Sequence, residues 1–195
     1  MHTIRLAVTA IVTSALIAGR PATAQRAAAP HHIEISAVAG YVTADGKDFS
    51  GTNGAIGFGG IARYFLFGHL GFGVGVHYSD HGLQTLPEHL HIRAIYAECR
   101  YSAQLGTAPV TLFAGPRAGW IHEQITIVDW EATGSVIGGL AGLGWRSTSR
   151  LGLEFQISET VIHLGDRRAA DGSVMSGTEA HGSSFGLEGG LVISF

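Results

Sequence analysis

The stretch that decides the fold is His69-Leu70-Gly71-Phe72-Gly73-Val74-Gly75-Val76-His77-Tyr78. Leu70, Phe72, Val74, Val76 and Tyr78 fall on one parity, and His69, Gly71, Gly73, Gly75 and His77 on the other. A period of two is the signature of a β-strand with one apolar face. A helix would gain nothing from this spacing, and the glycines would weaken it.

The same alternation recurs on both sides. Residues 32–43 set Ile33, Ile35, Ala37, Ala39 and Tyr41 against Glu34, Ser36, Val38 and Gly40; residues 54–65 set Ile56, Phe58, Ala62 and Tyr64 against Gly57, Gly59 and Arg63. Downstream, residues 110–120, 135–145, 150–162 and 183–195 repeat the pattern. Their apolar faces carry Leu112 and Trp120, Ile137, Ala141 and Leu143, Leu153 and Phe155, and Leu187, Leu191, Ile193 and Phe195. In 89–101 the parity changes: Leu90 and Ile92 share one face, whereas Ile95, Ala97, Cys99 and Tyr101 share the other. A bulge near Arg93 would reconcile them, because one extra residue flips the faces. The pattern thus predicts eight strands.

Composition narrows the setting. Hydrophobic residues make up 46% of the chain and charged residues 14%, well below the ~25% of a soluble domain. The chain has 29 glycines, about twice the usual ~7% share. The N-terminus has Arg5, an apolar run from Leu6 to Ala18, and the small-residue end Ala22-Thr23-Ala24. These are the parts of a secretory signal peptide over 1–24, followed by a flexible lead-in at 25–31 and one domain over 32–195. After Ala24 no apolar run is long enough for a spanning helix. An exported, apolar, charge-poor chain of this kind points to an all-β, eight-stranded, up-and-down antiparallel transmembrane barrel, in which strands pair one another's backbone groups. Without Arg5 and Arg20, ten basic residues face fifteen acidic ones, a balance that excludes a nucleic-acid footprint. Cys99 stands alone, so no internal disulfide closes.

The connections between strands alternate in length. Those near Phe67-Gly68, Gly106-Thr107 and Thr148-Ser149 are short, and the others are longer and more polar, including 164–182. Short periplasmic turns and long outer loops are the outer-membrane arrangement. The apolar face should then meet lipid, with Tyr41, Tyr78, Trp120 and Phe195 near the lipid–water boundaries. The opposite face should fill the interior with Glu34, Arg63, Arg117, Glu154 and Glu188, joined by Glu98 and Arg100 if residues 89–101 carry the bulge near Arg93. Four carboxylates and three guanidinium groups in a narrow barrel must pair, and the expected interior is plugged.

Three segments resemble the small outer-membrane barrel family of the OmpA membrane domain, OmpX and the opacity-type proteins. They are Ile95-Tyr96-Ala97-Glu98-Cys99-Arg100-Tyr101, Phe113-Ala114-Gly115-Pro116-Arg117-Ala118-Gly119-Trp120, and Gly189-Gly190-Leu191-Val192-Ile193-Ser194-Phe195. The resemblance spans about His31 to Phe195. It implies a monomer in outer-membrane lipid and a non-enzymatic structural or surface-contact role. In the third segment Leu191, Ile193 and Phe195 look like the signal read by the barrel-insertion machinery.

Other readings are a small-solute pore, a loop-borne metal or ligand site, and a lipid-modifying enzyme. Ser158, Glu159 and His163 share a strand, but Ser158 and His163 lie on opposite faces, so no catalytic set forms. His77, His81, His89, His91, His122, His163 and His181 sit near the expected outer ends, with Asp80 and Asp166 close in sequence. No tight Cys/His spacing accompanies them. The expectation is no tight metal site and no cofactor. Deleting Phe195, or Phe195→Asp, should lower assembled barrel in membrane fractions while export continues; unchanged levels would remove the assembly role.

Overall fold

The computed structural model describes residues 31–46, 49, 51–84, 89–125 and 129–195. The expected signal peptide and the lead-in up to residue 30 lie outside the described residues. The strands are β1 (His31–Asp45), β2 (Ala55–Leu66), β3 (Leu70–Gly82), β4 (His89–Gln104), β5 (Val110–Ile125), β6 (Trp130–Arg146), β7 (Leu151–Leu164), β8 (Arg167–Ala169), β9 (Val174–Met175) and β10 (Ala180–Ser194). Eight of these are long, and each pairs antiparallel with its neighbours. β1 pairs with β10, and β5 with β6, so the sheet closes. The short β8 and β9 form a hairpin in the last connection and attach to the upper end of β6. The chain is therefore an eight-stranded antiparallel barrel.

The burial pattern follows the parity of the sequence. Along β3, Phe72, Val74 and Val76 are exposed while Gly71, Gly73 and Gly75 face inward. The inward glycines make room. A Cβ on Gly71 would lie 2.8 Å from the Phe65 ring, one on Gly73 2.9 Å from Arg63 Cγ, and one on Gly75 2.7 Å from the Tyr96 ring. The decisive stretch thus alternates because large side chains of β2 and β4 lie across it. At the β2–β3 turn, Phe67 and Gly68 both have positive φ (56° and 75°), within a three-residue connection between the paired Leu66 and Leu70 in which His69 N donates to Leu66 O.

Two expectations need correction. There is no bulge near Arg93: β3–β4 pairs at constant offset from Leu70↔Tyr101 to Gly82↔His89. Leu90 and Ile92 instead face inward, where they join Ala44, Phe49, Ile121, Ala132, Val136, Ile162, Leu164 and Ala180 in a buried apolar cluster. An inward apolar residue is at home there because the barrel's upper interior is closed by hydrocarbon. The connection expected over 121–134 is also mostly strand, since β5 runs to Ile125 and β6 begins at Trp130. The sheet therefore extends further on the side of the longer connections, called upper below.

The packing around Tyr96 yields a test. Gly75→Leu should lower stability by ~1–3 kcal/mol through overpacking, read as a lower urea midpoint for unfolding of the reconstituted barrel. An unchanged midpoint would mean that the interior has slack at this point.

Candidate functional site: the barrel interior and outer wall

Eight strands leave an interior just wide enough for side chains to fill. The lower half is filled by charge. Arg63 on β2 is completely buried; its Nε donates to Glu98 Oε1 at 2.6 Å and its Nη1 to Ser36 Oγ at 2.6 Å. The same guanidinium reaches Glu154 at 3.3 Å. Arg100 donates to Glu154 Oε2 at 2.9 Å and to Glu34 Oε2 at 3.3 Å, with its Cζ 4.0 Å from the Phe113 ring centre. Arg117 donates to Glu98 Oε2 at 3.0 Å and stacks 4.0 Å over Tyr96. Cation–π contact gives both arginines a second favourable surface where water is thin.

All seven residues of the expected charge set lie in the interior, but their partners differ in detail. Arg117 does not touch Glu154; the two are linked through Glu98 and Arg63. Among the described residues, Glu188 has no arginine within ion-pair distance. It accepts from Gln156 Nε2 at 2.7 Å and lies 3.2 Å from His77 Nε2. Sequence reasoning passes over Arg146, which donates to Glu34 and to Ser194 at the lower mouth, and His32, 3.3 Å from Glu34. Arg146 carries a usable signal, since it follows outward Trp145 and so falls on the inward parity.

A cavity of about 990 Å³ opens at the lower mouth, and Glu34, Arg100, Glu154, Phe65 and Phe113 are among its lining residues. Above the charge layer, Leu140 and Ile162 are sealed from solvent and the apolar cluster closes the barrel. At the upper rim Arg167 of the β8–β9 hairpin lies 3.4 Å from the buried Glu123, which ties the hairpin to the wall.

The histidines divide among separate environments. His81 is buried in the interior, 2.9 Å from both Asn53 O and Ser79 Oγ. His89 lies 2.8 Å from Asp80, His91 Nδ1 lies 2.8 Å from the Tyr78 hydroxyl, and His163 and His181 Nδ1 atoms are 2.8 Å apart on the outer wall. Asp166 accepts from Thr178 N, away from the histidines. Among the described residues no three His, Cys, Asp or Glu side chains converge as a metal site. Ser158 faces inward and His163 outward, so they form no nucleophile–base pair.

The outer wall is apolar through its middle, with Ile56, Phe58, Val74, Val76, Ile95, Ile137, Phe155 and Leu191 exposed. Phe195 is exposed at the lower seam, Tyr41 and Trp120 are exposed four and five residues below the upper ends of β1 and β5, and Tyr78 is half-buried beside Phe58 and His91. Ala141 keeps the outward parity but is covered by its surroundings. Among the described residues of the eight long strands, five charged ones, Asp45, Asp80, Arg93, Glu131 and Glu159, stand on the outward parity, all in the upper parts of their strands. An outward charge costs ~2–4 kcal/mol for Arg at the membrane midplane and little near the headgroups, which accounts for their level.

A closed eight-stranded sheet, an apolar girdle and a filled polar interior define a small outer-membrane β-barrel, and the solved structures agree. The sequence matches no protein-family model and no curated protein. The crystal structure of Neisserial surface protein A is similar with a TM-score of 0.63 at 16% identity, covering 86% of this chain and 98% of that one. A major outer membrane protein from Thermus thermophilus is similar with a TM-score of 0.51 at 12% identity, covering 85% and 99%. The chain has the fold of these bacterial outer-membrane β-barrel proteins, a closed eight-stranded sheet with an apolar outer wall suited to lipid.

The ion network makes a quantitative expectation. Arg63→Ala should destabilise the barrel by ~3–5 kcal/mol, because it strands buried carboxylates. In double-mutant cycles of unfolding free energy, Arg117 and Glu98 should couple by ~1–3 kcal/mol and Arg117 and Glu154 by less. Equal coupling for both pairs would contradict the direct contact of Arg117 with Glu98 alone of the two.

Proposed function

We propose that this protein is a monomeric, non-enzymatic barrel of the OmpA/OmpX/opacity kind that acts at the cell surface through its upper connections. The wall serves as a rigid frame, and the loops carry the contacts. One observation carries the reading: the interior ionic groups are paired within the barrel, although Arg100 Nε, Arg117 Nε and Glu123 Oε2 have no hydrogen-bond partner, while the β8–β9 hairpin projects an exposed polar tip above the rim, with Arg168, Ala170, Asp171, Gly172, Ser173 and Val174 open to solvent. The hairpin is ordered by strand pairing to β6 and by Arg167 with Glu123, so its contact surface is preorganised. The Neisserial barrel of the same fold is itself named a surface protein.

Two layers argue against a pore. A solute entering from the lower cavity meets Arg63 and Glu154, then Leu140 and Ile162, each 1% exposed or less. The absence of a nucleophile–base pair around Ser158 and His163 argues against a lipid-modifying enzyme. The run Leu191, Ile193, Phe195 forms the outward edge of β10, and Phe195 exchanges backbone hydrogen bonds with Ile33. That placement suits a strand presented to the insertion machinery before β1 and β10 close the barrel.

Cells should be compared with and without the protein, and with a variant in which residues 170–173 are replaced by Gly-Ser of equal length. Cell–cell clumping and attachment to coated surfaces should fall several-fold in the loop variant, to the level of the deletion, although the variant assembles normally. The purified barrel should give no steady conductance in planar bilayers. Full surface contact by the loop variant, or stable channel steps from the pure protein, would overturn the proposal.

A further inference from the structure

Arg93 is the one outward-facing arginine in the eight long strands, and its surroundings are specific. Its Cα partners are Tyr78 on β3 and His122 on β5. No described carboxylate lies within ion-pair distance of it; an acidic group in the patch, Glu131, lies instead 3.8 Å from His122 Nε2. Two residues below His122, Trp120 is 75% exposed. A hollow of about 640 Å³ opens here on the outer wall across β4 to β7, with Arg93, Ile95, Trp120, His122, Ser135 and His163 among its lining residues.

The hollow straddles a boundary. Arg93 and His122 stand on its upper side, near Asp80 and Glu131, and His163, on the rung of Ser135, Trp120 and Ile95, lies beside His181. Ile95, Ile137 and Val161 continue below as bare hydrocarbon. A site with cationic and N–H donors at one end and an open apolar slope at the other matches an amphiphile. A soluble anion would leave the lower half unfilled. The guanidinium fork suits two phosphate oxygens at once, and an indole is at home at the headgroup level.

We propose that this hollow binds the phosphorylated headgroup of an outer-leaflet lipid. Arg93 holds the phosphate, His122 and His163 donate to it, and Trp120 and Ile95 lie along the first carbons of the acyl chains. The site requires only the outer-membrane setting and is independent of the surface-contact role.

Native mass spectrometry of the folded, detergent-extracted protein tests the site. The full barrel is mixed with lipid A carrying its phosphates, or with the same lipid after their removal. The phosphorylated lipid should be retained roughly five- to tenfold better, the scale of about one cationic contact at a membrane surface. The triple variant Arg93→Gln, His122→Gln, His163→Gln should retain both lipids equally, and an unchanged heat-dependent gel shift would show that it is folded. Arg93→Lys in the native background should keep part of the preference. Equal retention of the two lipids by the native protein would overturn the site, as would an undiminished preference in the folded triple variant. Displacement of the lipid by millimolar inorganic phosphate would assign the hollow to a free anion and overturn the lipid assignment.

Discussion

Closure of the backbone ladder is the constraint from which the rest of this molecule follows. In hydrocarbon an unpaired N–H or C=O has no water to turn to, so every strand needs two neighbours and the sheet has no free edge. β1 finds its second partner in β10, and Ile33 and Phe195 exchange hydrogen bonds at the seam. With eight strands the cylinder is narrow. Each inward side chain must therefore fit opposite others, and the inward glycines of β3 accommodate Phe65, Arg63 and Tyr96. Pro116, which has no N–H to give a ladder, sits where the β4–β5 pairing is interrupted, with Cys99 and Arg100 unpaired to β5 beside it.

The narrow interior is stratified. Charges occupy the lower half, where Arg63 joins β1, β2, β4 and β7 through Ser36, Glu98 and Glu154. Hydrocarbon occupies much of the upper half, with Phe49 folding in from the first connection to pack against Gly182. The two layers do different work. An ion network imposes directional geometry and thereby specifies which strands face each other, at a desolvation cost of several kcal/mol per ion that its own pairing must offset. The apolar layer shields the upper end from water without needing directional partners. Together they leave the barrel stiff, so adaptable contacts fall to the connections and the outer wall.

The outer wall carries information of its own. Most of it is uniform hydrocarbon, which any lipid chain can meet. Its upper margin is not uniform: Arg93, Trp120, His122 and His163 collect on β4, β5 and β7 around one hollow. A polar residue on a lipid-facing surface is stable only at the headgroup level, so its position records where that level lies. The same physics that sets the barrel in the membrane thus places a recognition chemistry beside the headgroups.

By itself, the sequence determined the strand period, the eight-strand closed barrel, the outward apolar face and the inward parity of Glu34, Arg63, Arg117, Glu154 and Glu188, whereas for Glu98 and Arg100 it ties that parity to a bulge that the regular β3–β4 register does not contain. These follow from alternation, and alternation is local. Leu90 and Ile92 mislead toward a bulge, because parity alone cannot separate a face that turns to lipid from one that turns to an apolar plug. Only the tertiary structure decided that Arg117 pairs with Glu98 rather than Glu154, that Arg146 and His32 converge on Glu34, and that His77 meets Glu188. It also gathered Arg93, Trp120, His122 and His163 from three strands onto one patch of wall. Such contacts depend on strand tilt and on which side chains reach across a closed cylinder, and neither quantity is written in the spacing of residues along one strand.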